Sequence, residues 1–277
     1  MTRVAYMGPE GSFSEEAARL SFPDNAELVG FTDIPAVISA LGHNLVDAAV
    51  VPIENSIEGS VNATLDQLIH DEAPPPIVAE LNLEVRHHLI ARPGTGLSDI
   101  ERVVSIPIAV AQCRKFMLEQ LPQVQLLPAL STSAAVQSLV HSVRIAAIGN
   151  ERAAQLYGME VIARDIQDGD DNTTRFVVLG GDLAARTGRD KTSICCSIAE
   201  DRPGSLMAIL DEFAKRSINL TKIESRPTRS GLGKYFFLID LEGHQSDAEV
   251  ASALEGVRAS SLVLKILGSY PAAAAAA

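Results

Sequence analysis

The hexapeptide Asp171-Asn172-Thr173-Thr174-Arg175-Phe176 gathers a carboxylate, an amide, two hydroxyls and a guanidinium directly ahead of the apolar run Val177-Val178-Leu179. Those groups could bind a small carboxylate substrate. Arg175 offers a planar fork of donors to an anion, and Thr174 offers a hydroxyl fixed by the strand that follows. The same residues also describe a polar loop capping a strand start, because loops are polar for solvation as well as for function. By themselves they leave both readings open.

Other polar side chains recur at comparable places. Val4 to Met7 reads as a short buried strand, then Gly8-Pro9-Glu10-Gly11-Ser12-Phe13-Ser14-Glu15 turns into a helix, with Ser12 and Glu15 at capping-box spacing. A strand, a glycine turn and a helix start present free backbone N–H groups to an anion. No Gly-Lys-Ser/Thr follows, so this is not a Walker phosphate loop. After a strand at 28–31 and a helix at 34–45, Ala48 to Ile53 reads as a strand apolar on both faces, as in a parallel sheet covered by helices. Glu54-Asn55-Ser56 follow it, at the carboxyl end of a strand where open α/β sheets bind ligands.

Pro74-Pro75-Pro76 cannot continue a helix and marks a subdomain crossing. Beyond it the spacing predicts a strand over 83–91, a strand ending at Ser105 to Pro107, and a helix over 109–121 with Gln112 in its first turns. A strand at 125–127, a helix opening at Ser131-Thr132-Ser133 and a strand at 145–148 complete the set. Residues 1 to 183 therefore predict two α/β lobes with a cleft between them: lobe 1 at about 1–75 plus 176–183, lobe 2 at about 76–175. Ser12, Asn55, Ser105, Gln112, Ser131, Thr132, Thr174 and Arg175 gather at strand ends.

Residues 184–191 read as a polar linker, and 192–271 as strands and helices in the order βαββαβ, the ferredoxin-like pattern. Such a sheet has one face without helices and often pairs between chains. Ala272 to Ala277 is low-complexity.

The chain has 277 residues, 47% hydrophobic and 21% charged, with a net charge of −12. That balance supplies no basic field for nucleic acid or an anionic membrane surface, although a small anion needs only local positive charge. No apolar stretch reaches the roughly 18 residues of a spanning helix, and the N-terminus enters a strand without a signal-type apolar region, so a cytoplasmic setting is expected. Cys113, Cys195 and Cys196 read as packing residues, not a disulfide framework. His87 and His88 fall on opposite faces of a strand-like run without an acid or cysteine at ligand spacing, and no metal site is expected.

Five segments resemble, in order, those of the prephenate dehydratase family: Gly8-Pro9-Glu10-Gly11-Ser12-Phe13-Ser14; Val51-Pro52-Ile53-Glu54-Asn55-Ser56; Ser105 and Pro107 with Ala111-Gln112-Cys113; Ser131-Thr132-Ser133-Ala134-Ala135; and Thr174-Arg175-Phe176. Ile106 and Ile108 stand where the family usually carries His and Gln, so no polar role is expected at either. Leu130 stands where some members carry an acid. The C-terminal part resembles an ACT domain, through Arg202-Pro203-Gly204-Ser205-Leu206 and Asn219-Leu220-Thr221-Lys222-Ile223-Glu224-Ser225-Arg226-Pro227.

The resemblance implies a periplasmic-binding-protein-like catalytic domain followed by an ACT domain. It implies a carbon–oxygen lyase that converts prephenate to phenylpyruvate by loss of CO2 and the ring hydroxyl, with no cofactor. Thr174, Arg175, Asn55, Ser105 and Gln112 are then the catalytic candidates, and Ser12, Phe13, Glu54, Ser131, Thr132 and Phe176 the substrate-binding ones. Gly204, Ser205, Leu206, Asn219, Leu220, Glu224, Ser225, Arg226 and Pro227 would bind L-phenylalanine as effector, within a homodimer or homotetramer. Arogenate as substrate, giving phenylalanine directly, and a non-catalytic cytoplasmic amino-acid sensor are the alternative readings.

Overall fold

The computed structural model describes residues 1–24, 26–141, 143–198, 202–229 and 234–273. Of the low-complexity run at 272–277 only Ala272 and Ala273 are among them, and Asp201 of the turn ahead of Ser205 lies outside the described residues. Two compact units account for the chain: residues 1–61 with 82–176, and residues 62–81 with 177–275.

The chain opens with β1 (Thr2–Met7), α1 (Phe13–Ser21), β2 (Ala26–Phe31), α2 (Ile34–Gly42) and β3 (Ala48–Asn55). A short β4 (Gly59–Ser60) folds back on β3, then come α3 (Asn62–His70) and β5 (Ile77–Glu84). The next elements are β6 (His88–Ala91), β7 (Arg102–Ser105), α4 (Pro107–Gln112), α5 (Arg114–Gln120), β8 (Gln125–Pro128) and α6 (Thr132–Gln137). They are followed by β9 (Ile145–Gly149), α7 (Glu151–Leu156), β10 (Glu160–Ala163) and β11 (Thr173–Leu179).

The first sheet has the order β2-β1-β3-β11-β5, and the second β10-β6-β9-β7-β8. β1 runs parallel to β2 and β3, and β7 parallel to β8 and β9, while β6 is antiparallel to β9. Ala48 to Ile53 and all of β9 are buried, as strands covered on both faces must be. Side-chain caps set the helix starts: Ser12, Asp33, Ser131 and Asn150 each accept a hydrogen bond from the N–H three residues on.

Two expected elements divide differently. The run read as one strand over 83–91 is split between β5 and β6, because Val85 to His87 crosses from one sheet to the other. The crossing is held by the returning segment: Val85 N–H donates to the Asn172 carbonyl (2.8 Å) and Ile166 N–H to the His87 carbonyl (2.8 Å). β5 and β11 both belong to the first sheet, and the strands of the second sheet lie within 88–163. The helix expected over 109–121 breaks at Cys113, so Gln112 ends α4 instead of lying in the first turns of a longer helix.

Only half of the expected capping box forms at α1. Ser12 caps as foreseen, but the Glu15 carboxylate turns to the Gly11 N–H, and to Arg19 Nε at 2.7 Å and Arg152 Nη2 at 3.3 Å. Burial, which would raise its pKa, is outweighed by the Gly11 N–H and the two guanidinium groups, and the carboxyl is held below its ordinary value. A depressed folded-state pKa stabilises above the unfolded value of about 4.3 and is lost as pH falls through the folded one. We expect Glu15→Gln to flatten the loss of stability as pH falls below about 5, read as urea midpoints at successive pH values.

In the second unit, β12 (Asp190–Ile198), α8 (Ser205–Ala214), β13 (Leu220–Pro227), β14 (Tyr235–Glu242), α9 (Ala248–Ser260) and β15 (Ser261–Pro271) form an antiparallel sheet of order β13-β14-β12-β15. This is the ferredoxin-like arrangement. Ile209, Phe213, Val250 and Val257 of the two helices pack on Ile194, Cys196, Phe237 and Ile239 of one face. β12 starts inside the expected linker, because Asp190 accepts from Thr187 N–H and Gly188 N–H (both 2.9 Å) and closes a turn there.

The other face, expected to be bare, is covered within this unit by residues 66–80. Arg226 Nη2 donates to Asp66 Oδ1 (2.9 Å), Lys265 Nζ to the Ile69 carbonyl (2.8 Å), and Lys191 Nζ to Glu80 Oε1 (2.8 Å). Phe236 meets His70 edge to face at 6.0 Å. Buried Cys113, Cys195 and Cys196 have thiols pushed up to about 12 by burial, which suits packing and not nucleophilic chemistry. Among the described residues no helix is long and apolar enough to cross a membrane.

Candidate active site

Where β3 ends, Asn55 stands between two sets of partners. Its Oδ1 accepts from the backbone N–H of Ile57 (3.0 Å) and of Glu58 (2.9 Å), which shapes the turn into β4. Its Nδ2 lies 2.8 Å from Asn172 Oδ1, 2.9 Å from Thr174 Oγ1 and 3.3 Å from the Thr173 carbonyl. Ser56 fastens the same region: its N–H donates to the Thr173 carbonyl (2.9 Å), and its Oγ accepts from the Thr173 N–H (2.9 Å).

Those two backbone donors fix the polarity of a longer chain of hydrogen bonds. A backbone N–H can only donate, so the Asn55 atom facing Ile57 and Glu58 is the carbonyl oxygen. Its amide nitrogen must then face Asn172 and Thr174. Asn172 accepts through Oδ1 and donates through Nδ2 to Gln112 Oε1 at 3.0 Å. Gln112 Oε1 also receives His87 Nε2 at 2.9 Å.

The chain has two outward ends. Thr174 Oγ1 accepts from Asn55, and no described residue takes its proton. The Gln112 NH2 has no acceptor among the described residues. A hydroxyl and an amide, both set to donate, are thus held within one network.

Charge lies beside it. Arg175 Nη1 donates to Glu54 Oε2 at 3.3 Å, and the Arg175 side chain is only 11% exposed. Phe13, from the first helix, meets the His87 ring edge to face at 6.1 Å. Burial pushes the His87 imidazole below its ordinary pKa, and His88 adds to this, against the Gln112 hydrogen bond.

The structure brings Thr174, Asn55 and Gln112 together, with Glu54 and Arg175 paired and Phe13 against His87. Other candidates are occupied elsewhere. Ser12 Oγ caps α1 and donates to the Met7 carbonyl (3.1 Å). Ser105 Oγ donates to the Ile148 carbonyl (2.9 Å) and ties β7 to β9. Ser131 caps α6 and lines a cavity of about 810 Å3 with Tyr6, Pro9 and Glu10, while Thr132 is buried in the first turn of that helix. Phe176, at 2% exposure, is a core side chain and not an open contact surface.

Two members of the network are absent from the sequence candidates. Asn172 reads as a bland neighbour of Thr174, yet it is buried and joins Asn55 to Gln112. His87 raises only the question of a metal. Its signal was an imidazole in an otherwise apolar run, a residue that must find a partner when buried.

In the second unit, Arg202, Pro203, Gly204, Ser205, Ala208, Ala259 and Ser260 line a cavity of about 440 Å3. Gly204 caps α8 at φ +90°, a conformation that side-chain-bearing residues rarely adopt. Leu206 packs with the core below. Residues 220–227 form β13, an edge strand paired only with β14 among the described residues. There Glu224 is 3.5 Å from Lys222 Nζ, and Arg226 is held by Asp66. Asn219 Nδ2 donates to Glu242 Oε1 (3.1 Å). Residues 219–227 do not line the Gly204 cavity.

The chain thus combines a two-sheet α/β fold carrying a cluster of polar donors with a ferredoxin-like domain. A family model for prephenate dehydratase matches residues 4–183, and one for the ACT domain matches residues 197–259. The chain belongs to the prephenate dehydratase family, and with it to the enzymes that dehydrate prephenate. It is 38% identical to prephenate dehydratase of Bacillus subtilis over 97% of this chain and 98% of that one. A crystal structure of prephenate dehydratase from Arthrobacter aurescens in complex with L-Phe superposes with a TM-score of 0.90, at 40% identity, covering 98% of this chain and 90% of that one. A structure described as a novel type of quorum-quenching acylase, GqqA, superposes at 0.88 with 28% identity and 98% of each chain covered.

Proposed function

We propose that the network around Asn55 catalyses decarboxylative dehydration of prephenate to phenylpyruvate, with Thr174 as the hydrogen-bond donor to the departing ring hydroxyl. The carrying observation is the polarity of that network, which directs the Thr174 O–H away from Asn55. In the reaction the ring C–CO2 bond breaks and its electron pair moves into the ring. The C–OH bond breaks opposite it, and the departing oxygen takes up a proton from solvent to become water. Aromatisation drives the step. The site has to bind a dianion and stabilise charge growing on the leaving oxygen, the work of a preorganised donor.

In this reading Arg175, held by Glu54, anchors a substrate carboxylate, and the Gln112 NH2 orients the substrate. Arg175→Gln should raise KM for prephenate by about ten- to a hundredfold, as loss of a charged hydrogen bond would, with a smaller effect on kcat. Steady-state kinetics with prephenate and with arogenate test the substrate choice. Phenylpyruvate formed from prephenate supports this reading. Turnover of arogenate alone, or of an acyl substrate alone, contradicts it.

L-Phenylalanine is the proposed effector, bound by the ACT domain in a homodimer or homotetramer. The relative crystallised with L-Phe supports this, as does the cavity at Gly204 in a domain whose edge strand can meet a second copy. Inhibition by L-phenylalanine, with calorimetric binding, is the expected result, and absence of both contradicts an effector role.

A further inference from the structure

His87 lies in the crossing between the two sheets and belongs to no set of residues singled out for this family above. It is 3% exposed, its ring is packed edge to face by Phe13, and its own N–H is held by Gln167 Oε1 at 3.0 Å. Its Nε2 meets Gln112 Oε1, an oxygen already shown to be an acceptor by the chain that starts at the Ile57 and Glu58 N–H groups. Its Nδ1 is buried with no partner among the described residues.

We infer that His87 is a positioning residue: it is locked as the neutral Nε2–H tautomer and, by donating to Gln112 Oε1, holds the Gln112 NH2 toward the substrate. This rests on the proposed role of Gln112. Two constraints meet at one amide. Asn172 donates from the Asn55 side, and His87 donates from the other, so Gln112 Oε1 is taken up by two donors. Rotating that amide by a half-turn would set NH2 against two donors and lose both bonds. A protonated His87 would put a second proton on Nδ1, a buried atom with nothing among the described residues to receive it, which burial opposes. His87 therefore acts without titrating, through the direction of a single N–H.

The test compares His87→Gln with His87→Leu in the full-length protein. A glutamine amide nitrogen can take the place of Nε2, and leucine offers no donor. We expect His87→Leu to lower kcat for prephenate about tenfold or more, as loss of one positioning hydrogen bond would, with KM changed less than about threefold. We expect His87→Gln to recover most of that loss. Unaltered kcat in a folded His87→Leu overturns the inference, as does His87→Gln as slow as His87→Leu. The tautomer is read separately on the wild-type protein from 15N–1H correlations of the imidazole. The Nε2–H pattern is expected, and an Nδ1–H pattern overturns the inference even where His87→Leu fails to fold. Wild-type turnover of prephenate is measured alongside. Its absence would refute the reaction assigned to the site, while the tautomer measurement would still stand.

Discussion

Asn55→Asp should lower kcat for prephenate by about a thousandfold or more, although one carbonyl-type oxygen is retained and only an NH2 is exchanged for an oxygen. The retained oxygen still accepts from Ile57 and Glu58 N–H, so the turn into β4 survives. The new oxygen faces Asn172 Oδ1 and Thr174 Oγ1, both acceptors in the native chain. To avoid the clash of acceptors, Thr174 must donate its proton to residue 55 and Asn172 must turn over. Gln112 then meets a carbonyl and not an amide, and His87 loses its acceptor. One exchange reverses the network and withdraws both outward donors. Loss of one preorganised donor is worth about a hundred- to a thousandfold, and the added negative charge also repels a dianionic substrate. Kinetics with circular dichroism as a control for folding check this result.

Thr174→Val should lower kcat by about a hundred- to a thousandfold, equivalent to about 2.7–4 kcal/mol of barrier, with KM nearly unchanged. Valine matches threonine in shape and β-branching, which suits the strand that begins at Thr173. What is removed is the hydroxyl, and its service is to charge that grows only as the leaving oxygen departs. A Thr174→Ser variant keeps the hydroxyl and should recover much of the loss. Equal activity of Val and Thr at this position would remove Thr174 from the chemistry.

Much of this is readable without coordinates. Strands such as Ala48 to Ile53 announce themselves by continuous apolar burial, and Ser12 and Ser131 announce helix starts because a side-chain oxygen three residues before a free N–H is a local device. The order βαββαβ needs no long-range information either. What stays hidden is long-range. An apolar run cannot show where a strand leaves one sheet for another, and for Leu83 to Ala91 that depends on residues 166 and 172 coming alongside. The cover over the second face of the ACT sheet comes from residues 66–80, and Glu80 lies 111 positions from the Lys191 it meets. Asn172 and His87 escape notice for the same reason. An amide or imidazole gains its role from the partner it meets, and Asn172 meets Asn55 across 117 positions. Phe176 is a core side chain, which its place beside Thr174 and Arg175 in the chain does not reveal.

Gln112 shares a hydrogen-bond network with Asn172, Asn55 and Thr174, at the end of its helix and not in its first turns. Its proximity to Asn172 follows from α4 ending at Gln112, where the chain breaks before α5. Ser105 and Ser12 reach the expected strand ends, but their hydroxyls are committed to the carbonyls of Ile148 and Met7. A strand end collects polar side chains, and their hydrogen bonds separate those committed to the fold from those left to donate.

In the proposed mechanism Asn55 sets the direction of the Thr174 hydroxyl. The most direct measurement is a double-mutant cycle in kcat for prephenate with Asn55→Asp, Thr174→Val and the two combined, since coupled residues depart from additivity where independent ones do not. If Asn55→Asp acts by turning the hydroxyl away, adding Thr174→Val to it should cost less than about threefold. If the double variant instead shows the full product of the two separate losses, Thr174 works without Asn55 and the hydroxyl is not set by it.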